Sequence, residues 1–447
     1  MREPTDHRKR RPTASSVLND GAIVEMLYVP ELNETVLARF DGGYVVKASS
    51  FDLPDGTTLV PYSPDNNLLT HGVILFPSED REWVTDGELL DSVRRFIHRY
   101  ADLSESFEEI ASHYVLLSWI YDAFSELPYL RLKGDYGSGK SRCLQTIGAI
   151  CYKPMFVSGA STVSPMFRII DAFRGTLVLD ESDFRFSDEK AEIVKILNNG
   201  MSSGFPVLRS EVTPTKEYNP RAFAVFGPKI IATRGDFDDR ALESRCITEA
   251  MTGLPPRADI PLSLPKDFHV EALELRNSLL GYRFRNLHRQ WSVESVRNVG
   301  LEPRVAQVFG PLFALASDDS VRERLMVLAR GRTGTLQAER SASIEAQLLG
   351  IMFDMRRNAC PLAVKDIAER FASRHGSDYQ KPITPRWIGA QLRRRLSLVP
   401  LKTHGTFVLP DSDLRLAALF ERFGLVDVDA SMETLGTLDA ASGTLSA

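Results

Sequence analysis

Eight consecutive residues constrain this chain more than any other stretch: Gly134, Asp135, Tyr136, Gly137, Ser138, Gly139, Lys140 and Ser141. They satisfy the phosphate-binding pattern G-x-x-x-x-G-K-[ST] at every fixed position. Glycines let backbone N–H groups close around phosphates, and the N-terminus of a following helix adds positive dipole at the same place. In that setting Lys140 reaches the β- and γ-phosphates and the Ser141 hydroxyl sits on Mg²⁺. Arg142 follows directly and is counted with the nucleotide-binding residues. The flanks agree with this reading. Residues 127–132 alternate apolar side chains as a short strand does, and residues 141–151 carry helical spacing.

About forty residues downstream, Thr176-Leu177-Val178-Leu179 reads as a strand buried on both faces, and it ends in Asp180-Glu181. Ligands of open α/β sheets bind at the carboxyl ends of the strands, so these carboxylates are expected beside the glycine loop. Asp180 is then expected to hold Mg²⁺ through water, and Glu181 to polarise the water that attacks the γ-phosphate. The two motifs together imply an ATPase core with ATP and Mg²⁺ as its cofactors.

The 447 residues leave room for two to three domains, and a net charge of −5 gives no global pull toward nucleic acid. A DNA site, if present, has to be local. No run of eighteen or more apolar residues occurs, so no membrane span is expected. The basic start of the chain is followed by no apolar segment of secretory type. Cys143, Cys151, Cys246 and Cys360 show no zinc spacing and read as free thiols of a reducing cytoplasm.

Taken in order, residues 1–16 read as a disordered basic tail and residues 17–80 as a β-rich region. Residues 81–126 form a helical brace whose aromatic stripe (Phe107, Tyr114, Trp119) is expected in the core. The ATPase core spans 127–252, a helical lid 253–342, a DNA-binding unit 343–425 and a disordered acidic tail 426–447. Within the core, residues 205–216 read as a hairpin with a proline in its tip. Thr233 ends a further core strand, where a polar side chain can meet the γ-phosphate or the attacking water. Gly310-Pro311 is expected to kink or end a helix that opens at Pro303.

This order of glycine loop, Asp-Glu strand, hairpin, polar strand end and Ala241-Leu242-Glu243-Ser244-Arg245 resembles the AAA+ ATPases. It is most similar to the helicase-like ATPases of phages, plasmids and integrated elements, the superfamily 3 helicases among them. The resemblance implies a homo-oligomeric ring such as a hexamer. It implies an arginine finger reaching a neighbour's ATP, with Arg245 as first choice and Arg240 as second, beside the reading that one of them only makes a salt bridge to Asp238 or Asp239. It also implies a pore hairpin gripping single-stranded DNA, where Lys216 and Arg209 are candidates beside the reading as solvated loop charges. Arg304, opening a lid helix, resembles an arginine that contacts the γ-phosphate, beside the reading as an ordinary helix-surface residue.

Residues 343–410 suggest three helices and a hairpin and resemble a winged helix, with Thr384 and Pro385 starting the third helix. That stretch holds eleven Lys/Arg against five Asp/Glu, a local excess of +6 that points to duplex DNA phosphates. Arg386, Arg393, Arg394, Arg395 and Lys402 are the candidate contacts; three arginines in a row cannot share one helical face, so one of them is expected to point elsewhere. A winged helix used for protein contacts is the other reading. The expected fold class is α/β: a three-layer P-loop ATPase core with a β-rich N-terminal region, a helical lid and a C-terminal winged helix. The expected function is a DNA helicase or translocase of a mobile element or replication system. The alternative is a switch or loader that assembles a replication or defence complex without unwinding.

Overall fold

The computed structural model describes residues 9–82, 85–180, 188–212, 218–293, 300–316, 318–341, 343–379, 381–403, 405–410 and 414–425. It divides into two compact units, Met1–Arg330 and Gly331–Ala447.

The first unit begins with seven strands: β1 (Lys9–Pro12), β2 (Ser15–Val17), β3 (Ile23–Val29), β4 (Glu34–Phe40), β5 (Val45–Ala48), β6 (Phe51–Asp52) and β7 (Thr57–Val60). Strands β2 to β5 form an antiparallel meander, and β1 runs parallel to β7, which also pairs with β6. This corrects the expectation of a disordered tail from residue 9 onward. Lys9–Pro12 take backbone partners from β7 while their four side chains stay exposed, so the positive charge needs no desolvation.

Three helices follow: α1 (Asn67–Thr70), α2 (Asp86–Tyr100) and α3 (Glu105–Trp119). Thr85 and Glu88 close a capping box that starts α2. From Phe107 to its end every residue of α3 is buried, so the aromatic stripe packs in the core. The Tyr114 hydroxyl accepts from the Lys229 N–H at 2.7 Å and donates to the Lys229 carbonyl at 2.9 Å. Those two bonds tie the brace to the backbone of the central sheet.

That sheet is built from β8 (Tyr129–Lys133), α4 (Lys140–Ala149), β9 (Met155–Ser158), α5 (Val163–Phe173), β10 (Leu177–Asp180), α6 (Asp188–Asn199), β11 (Val207–Val212), β12 (Tyr218–Phe223), β13 (Lys229–Thr233), α7 (Arg240–Glu243) and β14 (Cys246–Ala250). Five parallel strands lie in the order β14-β8-β13-β10-β9. Strand β13 therefore stands between the strand that feeds the glycine loop and the strand that ends in Asp180. Residues 72–76 form no strand; they cover the outer edge of β9 through an Ile74–Met155 bridge and a Phe156 N–H to Val73 carbonyl bond of 2.9 Å. Strands β11 and β12 form the antiparallel hairpin; its tip, residues 213–217 with Lys216, lies outside the described residues.

Residues 253–342 contribute α8 (Asp267–Asn286), α9 (Pro303–Leu315) and α10 (Asp319–Ser341). Helix α9 runs through Pro311 rather than stopping there, and its buried face of Val305, Val308, Phe309 and Leu312 offsets the lost backbone bond. Arg283 of α8 is 1% exposed and joins three parts of the unit. It donates to Glu25 at 2.7 Å, to Asp122 at 2.7 and 2.8 Å, and to the Trp119 carbonyl at 2.6 Å.

The second unit holds α11 (Ile344–Arg357), α12 (Val364–His375), α13 (Pro385–Arg395), β15 (Leu401–Thr403), β16 (Thr406–Val408) and α14 (Leu414–Arg422). Leu349, Met352, Ile367, Phe371, Ile388 and Leu392 interlock in its core. Thr384 caps α13 by accepting from the Trp387 N–H at 3.2 Å, with Pro385 as the first helical residue. Residues 426–447 lie outside the described residues.

Candidate nucleotide site and basic surface

The glycine loop leaves the end of β8 and closes on α4. At Gly134 a Cβ would come within 2.7 Å of the Met251 carbonyl and 2.8 Å of the Ser138 hydroxyl, so only glycine fits the close approach. Gly139 caps α4 at φ +88°, a left-handed conformation that glycine adopts without steric cost. Lys140 donates to the carbonyls of Gly134 and Asp135 at 2.7 and 2.6 Å, which folds its ammonium over the loop.

A cavity of about 320 Å³ is lined by residues 136–142, Asp180, Thr233 and Arg234. Three strand ends (β8, β10 and β13) converge on it, as the sheet order requires. Thr233 is 3% exposed and its hydroxyl finds no hydrogen-bond partner among the described residues. A buried hydroxyl left so costs about 1–3 kcal/mol, which a ligand oxygen or water entering the cavity would remove. Arg142 lines the same cavity and donates to the carbonyls of Pro261 and Leu262 at 2.9 and 2.7 Å. Arg234 was not singled out from sequence. Its guanidinium lies 3.6 Å from the centroid of the Tyr136 ring, so a second cation stands at the loop. The signal was present: Arg234 directly follows the residue that ends β13.

The residues fit a magnesium nucleotide. Among the described residues no group of three or more His, Cys, Asp or Glu could hold a metal by itself. Mg²⁺ commonly takes one or two protein oxygens and fills the rest of its shell with phosphates and water. Ser141 and Asp180 both line the cavity and are of that kind. Glu181 lies outside the described residues.

The opposite end of the sheet carries a different set of cations. Strand β14 pairs with β8 from Cys246–Tyr129 to Ala250–Lys133, so Arg245 stands at the start of β8. The five residues of β8, at about 3.3 Å each, put roughly 16 Å between Arg245 and the loop of its own chain. Arg245 donates to Asn198 Oδ1, and Asn198 donates to Asp239 at 2.7 Å. Burial, and then the like charge of Arg304, pulls its guanidinium below the ordinary arginine range. Its Nε is buried without a partner among the described residues. Arg304 reaches Gln307, which reaches Glu126 ahead of β8. Glu126 precedes β8, so the Gln307 link puts Arg304 toward the amino end of the sheet, away from the cavity of its own chain. Arg240 is exposed at the start of α7.

One buried residue links the two ends. Arg131, on β8 and 1% exposed, makes two 2.5 Å bonds to Glu243 and others to Thr248 at 3.0 Å and Asp236 at 3.3 Å. It holds the segment that runs from the cavity to Arg245. An arginine inside an apolar strand carries no such message in sequence, because its partners lie more than a hundred residues away.

Arg209 in the hairpin donates to Glu192 at 3.0 Å and lies over the Phe167 ring. In the second unit, Arg386, Arg393 and Arg394 of α13 and Lys402 of β15 are exposed. Arg395 is not part of that surface in the same way. It donates to Glu345 on α11 at 2.9 Å and to Gln391 at 2.9 Å, which makes it a tie between helices. No helix among the described residues is long and apolar enough to cross a membrane.

No family model matches the sequence, and no curated protein matches it. Solved structures similar to the chain include the apo C-terminal region of NrS-1, at 10% identity over 86% of this chain and 95% of that one, with a TM-score of 0.37. A full-length MCM homologue from Methanopyrus kandleri is 12% identical over 70% and 78%, with a TM-score of 0.34. The JCV helicase is 14% identical over 58% and 63%, with a TM-score of 0.22. At scores this low the functional reading is left to the geometry of the site.

Proposed function

We propose that this chain is an ATP-hydrolysing, ring-forming motor on DNA, of the helicase or translocase type of replication systems and mobile elements. The observation that carries this reading is the separation of cations. Lys140 stands at one end of the parallel sheet in a cavity with Asp180 and Thr233. Arg245 and Arg304 stand at the other end, close enough to repel, and beyond reach of their own loop. Asp239 gives Arg245 one counter-charge, and the unpartnered Arg245 Nε with Arg304 nearby leaves room for a second anion, which the phosphates of a neighbouring subunit's nucleotide supply. Magnesium, when bound, neutralises charge on the phosphates. Lys140 holds the β- and γ-phosphates, Ser141 and Asp180 hold the metal side, Thr233 orients the γ-phosphate or the water, and Glu181 takes the water's proton. Arg245 stabilises transition-state charge in trans, an effect worth roughly 10³–10⁵ in rate. Arg240 is the second choice for that role. The C-terminal unit acts as a winged helix whose Arg386, Arg393, Arg394 and Lys402 hold DNA phosphates.

A mixing experiment tests the carrying observation. Arg245→Ala and Lys140→Ala proteins are each expected to lose ATP turnover. Mixed, they are expected to regain part of it at interfaces that pair an intact loop with an intact arginine. No recovery at any ratio, with mixed assemblies shown by light scattering, would place Arg245 within one subunit's own chemistry.

One observation favours the switch or loader reading instead. Arg209 is engaged by Glu192 and Phe167 rather than presented to a strand, which weakens the gripping role of the hairpin. ATPase activity stimulated by DNA without displacement of a strand from forked DNA would support that second reading.

A further inference from the structure

Between α13 and the β15–β16 hairpin lies a groove of about 480 Å³, a size typical of small-ligand sites. Its cations are Lys365 at the start of α12 and Arg386 and Arg393, which lie seven residues and two turns apart on one face of α13. Among the described residues no carboxylate lines it. Val364, Pro385, Pro400 and Phe407 give it an apolar side, beside Thr406 and two glycines. Phe407 is 51% exposed, so it is accessible from solvent. Lys402 pairs directly with Phe407 across the hairpin, so a further cation flanks the ring on the same face. Gly389 leaves space on α13: a Cβ there would come 3.6 Å from the Arg393 guanidinium, which lies back along the helix.

We infer that this groove holds an unpaired nucleotide of a DNA strand beside a duplex end, with its base stacked on Phe407 and its flanking phosphates on Arg386, Arg393 and Lys365. The inference rests on the reading of this unit as a DNA-binding winged helix and adds what it recognises. Cations alone suit a duplex backbone, which presents phosphates outward and hides its base faces in the stack. An aromatic ring and prolines among those cations are useful only to a base whose face is free, and stacking on an aromatic is the main sequence-tolerant attraction for single strands. The groove thus suits the junction between paired and unpaired DNA.

The test uses the full chain without nucleotide and compares a blunt DNA hairpin with the same hairpin carrying a single-stranded thymine tail. Fluorescence anisotropy gives the affinities. Phe407→Ala is expected to weaken binding of the tailed hairpin roughly 5- to 100-fold, the value of one stacked base, and to leave the blunt hairpin unchanged. Phe407→Trp is expected to keep the tail preference, and its own fluorescence to be quenched by the tailed DNA. Arg393→Ala is expected to weaken both DNAs. If Phe407→Ala has no effect or weakens both DNAs equally while Arg393→Ala weakens both, the stacked base is wrong and DNA binding stands. If Arg393→Ala changes neither, DNA recognition by this unit fails. If Phe407→Ala instead lowers only self-association by light scattering, the groove is a protein contact and the inference is overturned.

Discussion

The two ends of the central sheet handle positive charge in opposite ways. At the carboxyl ends of the strands, Lys140 donates to the loop's own carbonyls at 2.6 and 2.7 Å beside a cavity that also holds Asp180. At the amino ends, Lys229 is sealed under the sheet and donates to the carbonyls of Gly200, Val225 and Gly227 at 3.2, 2.9 and 2.9 Å. It is fully used by the fold. Arg245, nearby, is held more loosely: the Asn198 amide accepts from it, the Asp239 carboxylate attracts it while Arg304 opposes it, and its Nε is unpartnered among the described residues. A buried cation ringed by carbonyls is part of the scaffold. Under the proposed function, the carboxyl end is the nucleotide cradle and the amino end faces a partner's nucleotide.

The sharpest way to break this comparison is at the cradle. Lys140→Ala is expected to abolish ATP turnover, because no other loop side chain places a positive charge between the β- and γ-phosphates. It is expected to leave thermal unfolding almost unchanged, since Lys140 bonds only groups of its own loop. Residual turnover at the parent rate would show that the cradle is not the catalytic end.

A smaller effect is expected from the residue that joins the ends. Arg131→Met removes one partner of a buried ion pair and leaves Glu243 uncompensated. Such losses cost about 3–5 kcal/mol, read as a fall in the urea midpoint at unchanged m-value. Turnover is expected to fall with it even where the protein remains folded, because the segment bearing Arg245 loses its anchor. A stable variant with full turnover would separate the arginine from that segment.

The smallest effects compare neighbours on α13. Arg386→Ala with Arg393→Ala is expected to flatten the dependence of duplex binding on salt by nearly two in the log–log slope, at about 0.9 for each phosphate contact. Arg395→Ala is expected to leave the slope alone and to lower stability by up to about 1 kcal/mol, the usual value of a partly exposed ion pair. Equal slopes for the two variants would put Arg395 back on the DNA surface.

That last pair shows where reading a sequence stops. Arg393, Arg394 and Arg395 are equivalent as letters, and helical rotation of 100° per residue says only that they diverge. Glu345, fifty residues earlier on another helix, decides that Arg395 is a tie. The glycine loop needed no such help. Its chemistry is contiguous, and Gly134, Gly139, Lys140 and Ser141 act through local backbone geometry that eight residues specify by themselves. The start of α13 was legible for the same reason, since Thr384 and Pro385 satisfy and omit donors within one turn.

The sequence by itself thus determined the elements whose partners are their own neighbours: the phosphate loop, the helix caps and the alternating strands. The tertiary structure alone decided which end of the sheet Arg245 occupies, that Thr233 is buried with a spare hydroxyl, and that Lys9–Pro12 form a strand on β7. The physical reason is the range of the interactions. Capping and loop closure act within a few residues. Desolvation and charge pairing depend on whichever distant residues packing brings alongside, as Arg131 and Glu243 show across 112 positions.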